Sequence, residues 1–91
     1  MDLGINGRVA LVTGSYRGTG SAIAASLAAE GAHVLVHGFE PGQPEPVVET
    51  IVARGGSARG IVGDLSSDEG ARAVLDAAGE LDIVVCNYGV A

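Results

Sequence analysis

The order and spacing of its apolar runs constrain this chain more than any other property. Arg8 to Thr13 reads RVALVT, an apolar, β-branched-rich run of strand length that stops at Gly14. Its hydrophobicity is continuous rather than alternating, the habit of a strand covered on both faces in a parallel sheet. Ser21 to Glu30, SAIAASLAAE, then sets Ile23, Leu27 and the alanines around them at helical spacing, with Gly31 where a helix-terminating glycine belongs. His33 to His37, HVLVH, is a second strand, followed by the Gly/Pro-rich connection GFEPGQPEP. Pro44 or Pro46 suits the first turn of a helix running to about Arg54, with Val47, Val48, Ile51 and Val52 on its apolar face. Gly55 and Gly56 end that helix, and Ala58 to Val62 makes a third strand that finishes near Asp64. Ser66 to Gly79 forms a third helix, with Ser66 and Glu69 at capping-box spacing and a buried stripe of Ala71, Val74, Leu75 and Ala78. Leu81 to Cys86 is a fourth strand. Strands alternating with helices predict an α/β fold built on a parallel sheet with right-handed crossovers.

Ninety-one residues suffice for one domain and leave no room for a second. The net charge is −6, all five cations are arginine, and there is no lysine. A chain this acidic, with scattered cations, lacks the electrostatic footprint of a nucleic-acid binder or a polybasic membrane-surface protein. No apolar run approaches the roughly 18 residues of a membrane span. The single cysteine, Cys86, cannot form an intrachain disulfide, and the N-terminal MDLGINGRVA carries no signal-peptide pattern. A cytoplasmic protein is the expectation. With three aromatic residues against fifteen glycines, the core must come from Val, Ile, Leu and Ala.

Three of those glycines stand where chemistry is expected. Thr13 to Gly20, TGSYRGTG, joins the first strand to the first helix, with glycines at 14, 18 and 20. Such a turn needs residues that tolerate positive φ and a backbone that a ligand can approach closely. It presents free N–H groups and the positive end of a helix dipole, a ready site for a pyrophosphate. The spacing is G-x-x-x-G-x-G rather than G-x-G-x-x-G, and without a lysine it cannot be a P-loop.

At this point RVALVTGSYRGTG resembles the first strand and T-G-x-x-x-G-x-G loop of the short-chain dehydrogenase/reductases, and three further landmarks follow in order. Asp64-Leu65 is similar to that family's Asp-hydrophobic pair after strand three, Leu81 to Val85 to its fourth strand, and Cys86-Asn87-Tyr88-Gly89 to its N-N-A-G motif. The resemblance implies a Rossmann-like, doubly wound parallel sheet in strand order 3-2-1-4, a nicotinamide dinucleotide as cofactor, and hydride transfer between it and a carbonyl or alcohol substrate. It implies that Gly14 makes the turn and that Ser15, with the N–H groups of Gly18, Thr19 and Gly20, faces the pyrophosphate. Asp64, with Leu65 beside it, would accept from the adenine amino group, and Asn87 would lie against a cofactor ribose. Cys86 and Tyr88 depart from the motif's first Asn and its Ala.

A carboxylate ending strand two would hydrogen-bond the ribose 2′-OH of NAD and repel the 2′-phosphate of NADP. Gly38 holds that place, so the carboxylate is missing. Arg17 stands where NADP-preferring members of the family often carry a basic residue, and a guanidinium can grip a phosphate bidentately. Phe39 and Glu40 occupy the other usual basic position and its neighbour. NADP is therefore favoured over NAD. His37 reads as an ordinary strand-end residue.

The family's general acid is a Tyr whose proton affinity is lowered by a Lys four residues later, since an unassisted phenol near pKa 10 is a poor proton donor and acceptor at neutral pH. Here Tyr16 and Tyr88 have no lysine to serve them. The expectation is a dinucleotide-binding half-domain over residues 1–91, cut before the catalytic half and inactive by itself. The alternatives are a non-catalytic dinucleotide-binding module, whether a regulatory subunit or a half that pairs with a separate chain, and a small α/β structural domain whose glycines are mere turns. Strand four would be an edge with no charge after Asp82 to blunt it, which favours self-association.

Overall fold

A computed structural model describes residues 4–87. The elements run β1 Val9–Val12, α1 Gly18–Ala29, β2 His33–Gly38, α2 Glu45–Ala53, β3 Ser57–Val62, α3 Asp68–Ala78 and β4 Ile83–Val85. All strand pairs are parallel, and the sheet order is β3-β2-β1-β4 as expected. Leu11 lies beside Leu35 on one side and Val84 on the other.

Alternation along the strands divides the interior in two. Val12, Val34 and Val36 face α1 and α2, meeting Ala24, Ala28 and Ile51. Leu11, Leu35 and Ile61 face the other way, onto Val74 and Ala78 of α3. Both faces of the central strands are dry, which is why their sequences read as unbroken apolar runs. Each buried Leu, Ile or Val side chain contributes about 1.5–3 kcal/mol relative to exposure, and Leu35 is 0% exposed at the centre.

Several boundaries differ from the sequence reading. Helix α1 begins at Gly18 rather than Ser21, because Arg17 is extended and serves as N-cap. The cap of α3 is Ser67, not Ser66: the Ser67 hydroxyl accepts from the Gly70 N–H, while the Ser66 hydroxyl and N–H both donate to Asp64. The stripe on α3 is narrower than expected. Val74 and Ala78 are buried, but Leu75 is 52% exposed, because α3 lies toward the β3 side of its face and leaves β4 uncovered. Val84 on β4, on the Leu11 side of the sheet, is 51% exposed for the same reason.

Polar groups finish the frame. The Asp82 carboxylate accepts from the Val9 N–H at 2.8 Å and the Asp82 N–H donates to the Val9 carbonyl at 2.9 Å, pinning the starts of β1 and β4 together. Arg8 pairs with Asp82 at 3.6 Å, but this exposed ion pair adds less than about 1 kcal/mol. The last turn of α3 carries no cation of its own, and Arg59 of β3 reaches across to donate to its Ala77 and Ala78 carbonyls. No helix among the described residues is long and apolar enough to cross a membrane.

Candidate dinucleotide site

The carboxyl ends of β1, β2 and β4 meet around Gly14. Its φ is +62° and that of Gly18 is +59°, values that side chains of L-residues rarely adopt. The turn is held from both sides: the Gly14 N–H donates to His37 Nδ1 at 2.9 Å, and the Gly14 carbonyl accepts from Asn87 Nδ2 at 3.4 Å. Thr13 ties the same turn to β4, its N–H donating to the Val85 carbonyl and its hydroxyl accepting from the Asn87 N–H at 2.8 Å.

Gly20 is required for a different reason. Its conformation is ordinary, but a Cβ there would stand 2.6 Å from the Gly14 carbonyl oxygen, 2.6 Å from Asn87 Nδ2 and 2.8 Å from Ser15 Cα. The first turn of α1 therefore rests directly on the β1 exit. The opening N–H groups of a helix have no intrahelical acceptor, and Arg17 supplies no side-chain cap. With no acidic residue in that turn, the amino end of α1 keeps its positive character for an anion. Gly18 and Thr19 are exposed there.

Ser15 departs from its expected place. Its side chain is wholly buried, and Oγ accepts from the His37 N–H at 3.0 Å, so the hydroxyl braces β2 instead of facing outward. Arg17 is exposed with its guanidinium 5.3 Å from the centre of the Tyr16 ring. Tyr16 meets Phe39 edge-on at 6.1 Å, and Phe39 meets His37 edge-on at 4.8 Å, so an aromatic row leads from the end of β2 to the arginine.

Gly38 proves to be a closed position as well as an uncharged one. A Cβ there would lie 2.9 Å from Gln43 Cβ and 3.1 Å from Pro44 Cδ. Gln43 is fixed in turn, its Oε1 accepting from the N–H groups of Phe39 and Glu40. Any side chain at position 38, where the sequence reading looked for an NAD-selecting carboxylate, would therefore force Gln43 and Pro44 to shift.

At the end of β3, Asp64 Oδ1 accepts from the Ser66 N–H at 2.9 Å and the Ser66 hydroxyl at 2.6 Å. These bonds, the hydroxyl first, hold its carboxyl below the ordinary value of 3.8, so it is an acceptor at neutral pH. Leu65 next to it is partly buried and packs on the α3-side core. Gly70 allows the close approach behind them, since a Cβ on it would collide with the Asp64 carbonyl oxygen. Cys86 is exposed, and Tyr88 and Gly89 lie outside the described residues.

The expected site residues Gly14, Ser15, Arg17, Gly18, Thr19, Gly20 and Asn87 come together around one turn, with Asp64 and Leu65 at the exit of β3. What the sequence reading missed is His37. It is 0% exposed, and its Nε2 lies 2.8 Å from the Gly63 carbonyl oxygen.

Crevices at the carboxyl ends of parallel strands, next to a glycine turn and a helix amino end, define the dinucleotide-binding α/β proteins. Comparison with known proteins narrows this class: the short chain dehydrogenase family model matches residues 8–91, and the chain belongs to that family. It is 42% identical over 91 residues to an uncharacterized oxidoreductase of Methylorubrum extorquens, covering 94% of this chain and 37% of that protein. It is 40% identical to the 3-oxoacyl-[acyl-carrier-protein] reductase FabG of Pseudomonas aeruginosa, covering 97% of this chain and 37% of the relative. Among solved structures, L-sorbose reductase from Gluconobacter frateurii, complexed with NADPH and L-sorbose, superposes with a TM-score of 0.90 at 34% identity, over 99% of this chain and 36% of that one. A 3-oxoacyl (acyl-carrier-protein) reductase from Agrobacterium tumefaciens with NADP bound gives a TM-score of 0.82 at 45% identity, covering 94% of this chain and 34% of that one. The chain thus spans about a third of the length of the relatives it matches.

Proposed function

We propose that this chain is the dinucleotide-binding part of a short-chain reductase that uses NADP(H) for hydride transfer between the cofactor and a carbonyl or alcohol substrate. The observation that carries the reading is the pairing of an uncapped α1 amino end at Arg17–Gly20 with a closed, uncharged Gly38. The nicotinamide, when bound, supplies the hydride. The N–H groups of Gly18, Thr19 and Gly20 hold the pyrophosphate, Arg17 meets the 2′-phosphate, Asp64 and Leu65 border the adenine, and Asn87 borders a ribose. The NADP and NADPH bound in the two related structures support the preference for the phosphorylated cofactor.

No lysine is present to assist Tyr16 or Tyr88. Proton transfer to a substrate oxygen therefore draws on groups outside these 91 residues, and the chain alone binds without turning over. The reading carries a cytoplasmic setting, where the cofactor is found.

Calorimetric titration of the chain with NADPH and NADH tests the assignment. NADPH should bind more tightly, and Arg17→Ala should weaken it about tenfold or more, the worth of hydrogen bonds to a charged group. NADH should be nearly unaffected. Equal losses for both cofactors would remove Arg17 from the 2′-phosphate, and carbonyl reduction by the unaccompanied chain would refute the division of labour.

A further inference from the structure

We infer that His37 is the positioning residue of the dinucleotide loop, acting through the main chain of Gly14 without touching the cofactor; this rests on the reading of Thr13–Gly20 as a pyrophosphate loop. The partners of the imidazole fix its chemical form. An amide N–H can only donate, so Nδ1, 2.9 Å from the Gly14 nitrogen, presents its lone pair. A carbonyl oxygen can only accept, so Nε2, 2.8 Å from the Gly63 oxygen, carries the hydrogen. The ring is the neutral Nε2–H tautomer, spanning from the exit of β1 to the exit of β3 across its own strand.

Its surroundings leave it no other employment. His37 is 0% exposed, its own N–H is taken by Ser15 Oγ, and its ring is flanked by Phe39. Gly63 is doubly attached to β2, since its N–H also donates to the Gly38 carbonyl at 3.1 Å. The histidine is thereby anchored at one end on a residue that β2 also holds, and at the other it sets the direction of the Thr13–Gly14 peptide.

That direction matters because glycine by itself does not enforce it. Gly14 sits at φ +62°, one of several conformations nearly equal in energy for glycine. Without the acceptor on its N–H, the turn is held from the β4 side alone, through Thr13 and the Asn87 bond to the Gly14 carbonyl; the Thr13–Gly14 peptide then distributes among them, and affinity falls with the fraction that remains arranged for binding. The pyrophosphate is common to both dinucleotides. Loss of His37 therefore weakens NADPH and NADH by the same factor, unlike loss of Arg17.

The test combines nitrogen-15 NMR of the chain with titration of variants. The His37 nitrogen shifts should report the Nε2–H tautomer, and a through-hydrogen-bond N–N coupling should connect Gly14 N to His37 Nδ1. His37→Leu, which keeps bulk against Phe39 but offers no acceptor, should weaken NADPH and NADH alike by about tenfold or more. His37→Asn, whose Oδ1 stands near the place of Nδ1, should recover both to within about threefold of the parent. A Nδ1–H tautomer, an absent coupling, an Asn variant no better than Leu, or a loss confined to NADPH would each overturn the inference. If His37→Leu does not fold, the coupling and the Asn variant decide. A parent chain that shows the coupling but binds neither dinucleotide refutes the loop reading while leaving the hold of His37 on Gly14 in place.

Discussion

Replacing Gly20 by alanine separates close packing from conformational freedom, because this glycine has no unusual backbone angle to protect. The added methyl would stand 2.6 Å from the Gly14 carbonyl oxygen and 2.8 Å from Ser15 Cα, both main-chain atoms, and 2.6 Å from the Asn87 amide. The Asn87 side chain can swing aside. The Gly14 carbonyl cannot, since its turn is tied to β2 through His37. Overpacking of this kind costs about 1–3 kcal/mol, and with two immobile neighbours the upper half of that range applies. Alanine returns at most about 1 kcal/mol through its better helix propensity. The expected balance is a loss of about 1–2 kcal/mol, which for a chain of this size lowers Tm by about 5–15 °C. Circular dichroism melts of Gly20→Ala should show that fall, while Ser26→Ala, on the exposed side of the same helix, should stay within about 0.5 kcal/mol of the parent. NADPH binding should be lost with the displaced turn. A Gly20→Ala chain that melts at or above the parent temperature would show that α1 can slide off the β1 exit, and the steric account of this glycine would be wrong.

Three other outcomes are expected. The Asp64 carboxyl, held below 3.8 by Ser66, contributes stability that is present above the unfolded-state value and is lost as pH falls through the lowered folded value. Its NMR titration midpoint should lie below 3.8 and rise toward it in Ser66→Ala; a parent midpoint at or above 3.8 would contradict the bonding at this corner. Gly38→Asp, the simplest attempt to convert the site to NAD, should destabilise the chain by about 1–3 kcal/mol through contact with Gln43 and Pro44. Tighter NADH binding by an equally stable Gly38→Asp chain would show that position to be open after all. If β4 is a self-association edge, as the sequence suggests, the parent should associate with rising concentration in light scattering and Val84→Lys, on that half-exposed strand, should reduce it; a parent that stays monomeric, or association unchanged by the lysine, would refute that role for β4.

The four strands and the glycine turn were legible because both are local signals, whereas the order of the strands in the sheet came with the family resemblance. An apolar run such as VALV, met again in HVLVH, marks a strand buried on two faces wherever it stands in the chain. The misplaced details depend on neighbours distant in sequence or on competition between equals. Ser66 and Ser67 are interchangeable on paper, and the choice of cap falls to Ser67 because Asp64 claims Ser66. Helical periodicity put Leu75 on a buried stripe, but only the sheet shows that α3 covers one half of its face. Ser15 turned inward and His37 became part of the site through contacts between positions 22 and 23 residues apart, which no pattern within either segment announces.

The two braces on Gly14 also differ in when the chain can make them. His37 is 23 residues away and Asn87 is 73, and by the logarithmic cost of loop closure the second contact is about 1 kcal/mol harder to bring together. The β1-α1-β2 portion can close the left side of the turn from local contacts. The right side waits for β4, the last of the four described strands, which pairs through only three residues. A dinucleotide bound at this turn would favour molecules in which the fourth strand has docked, adding its binding free energy to the weakest seam of the sheet. Cofactor supply would then act on folding yield, and the protein would be most complete where its ligand is abundant.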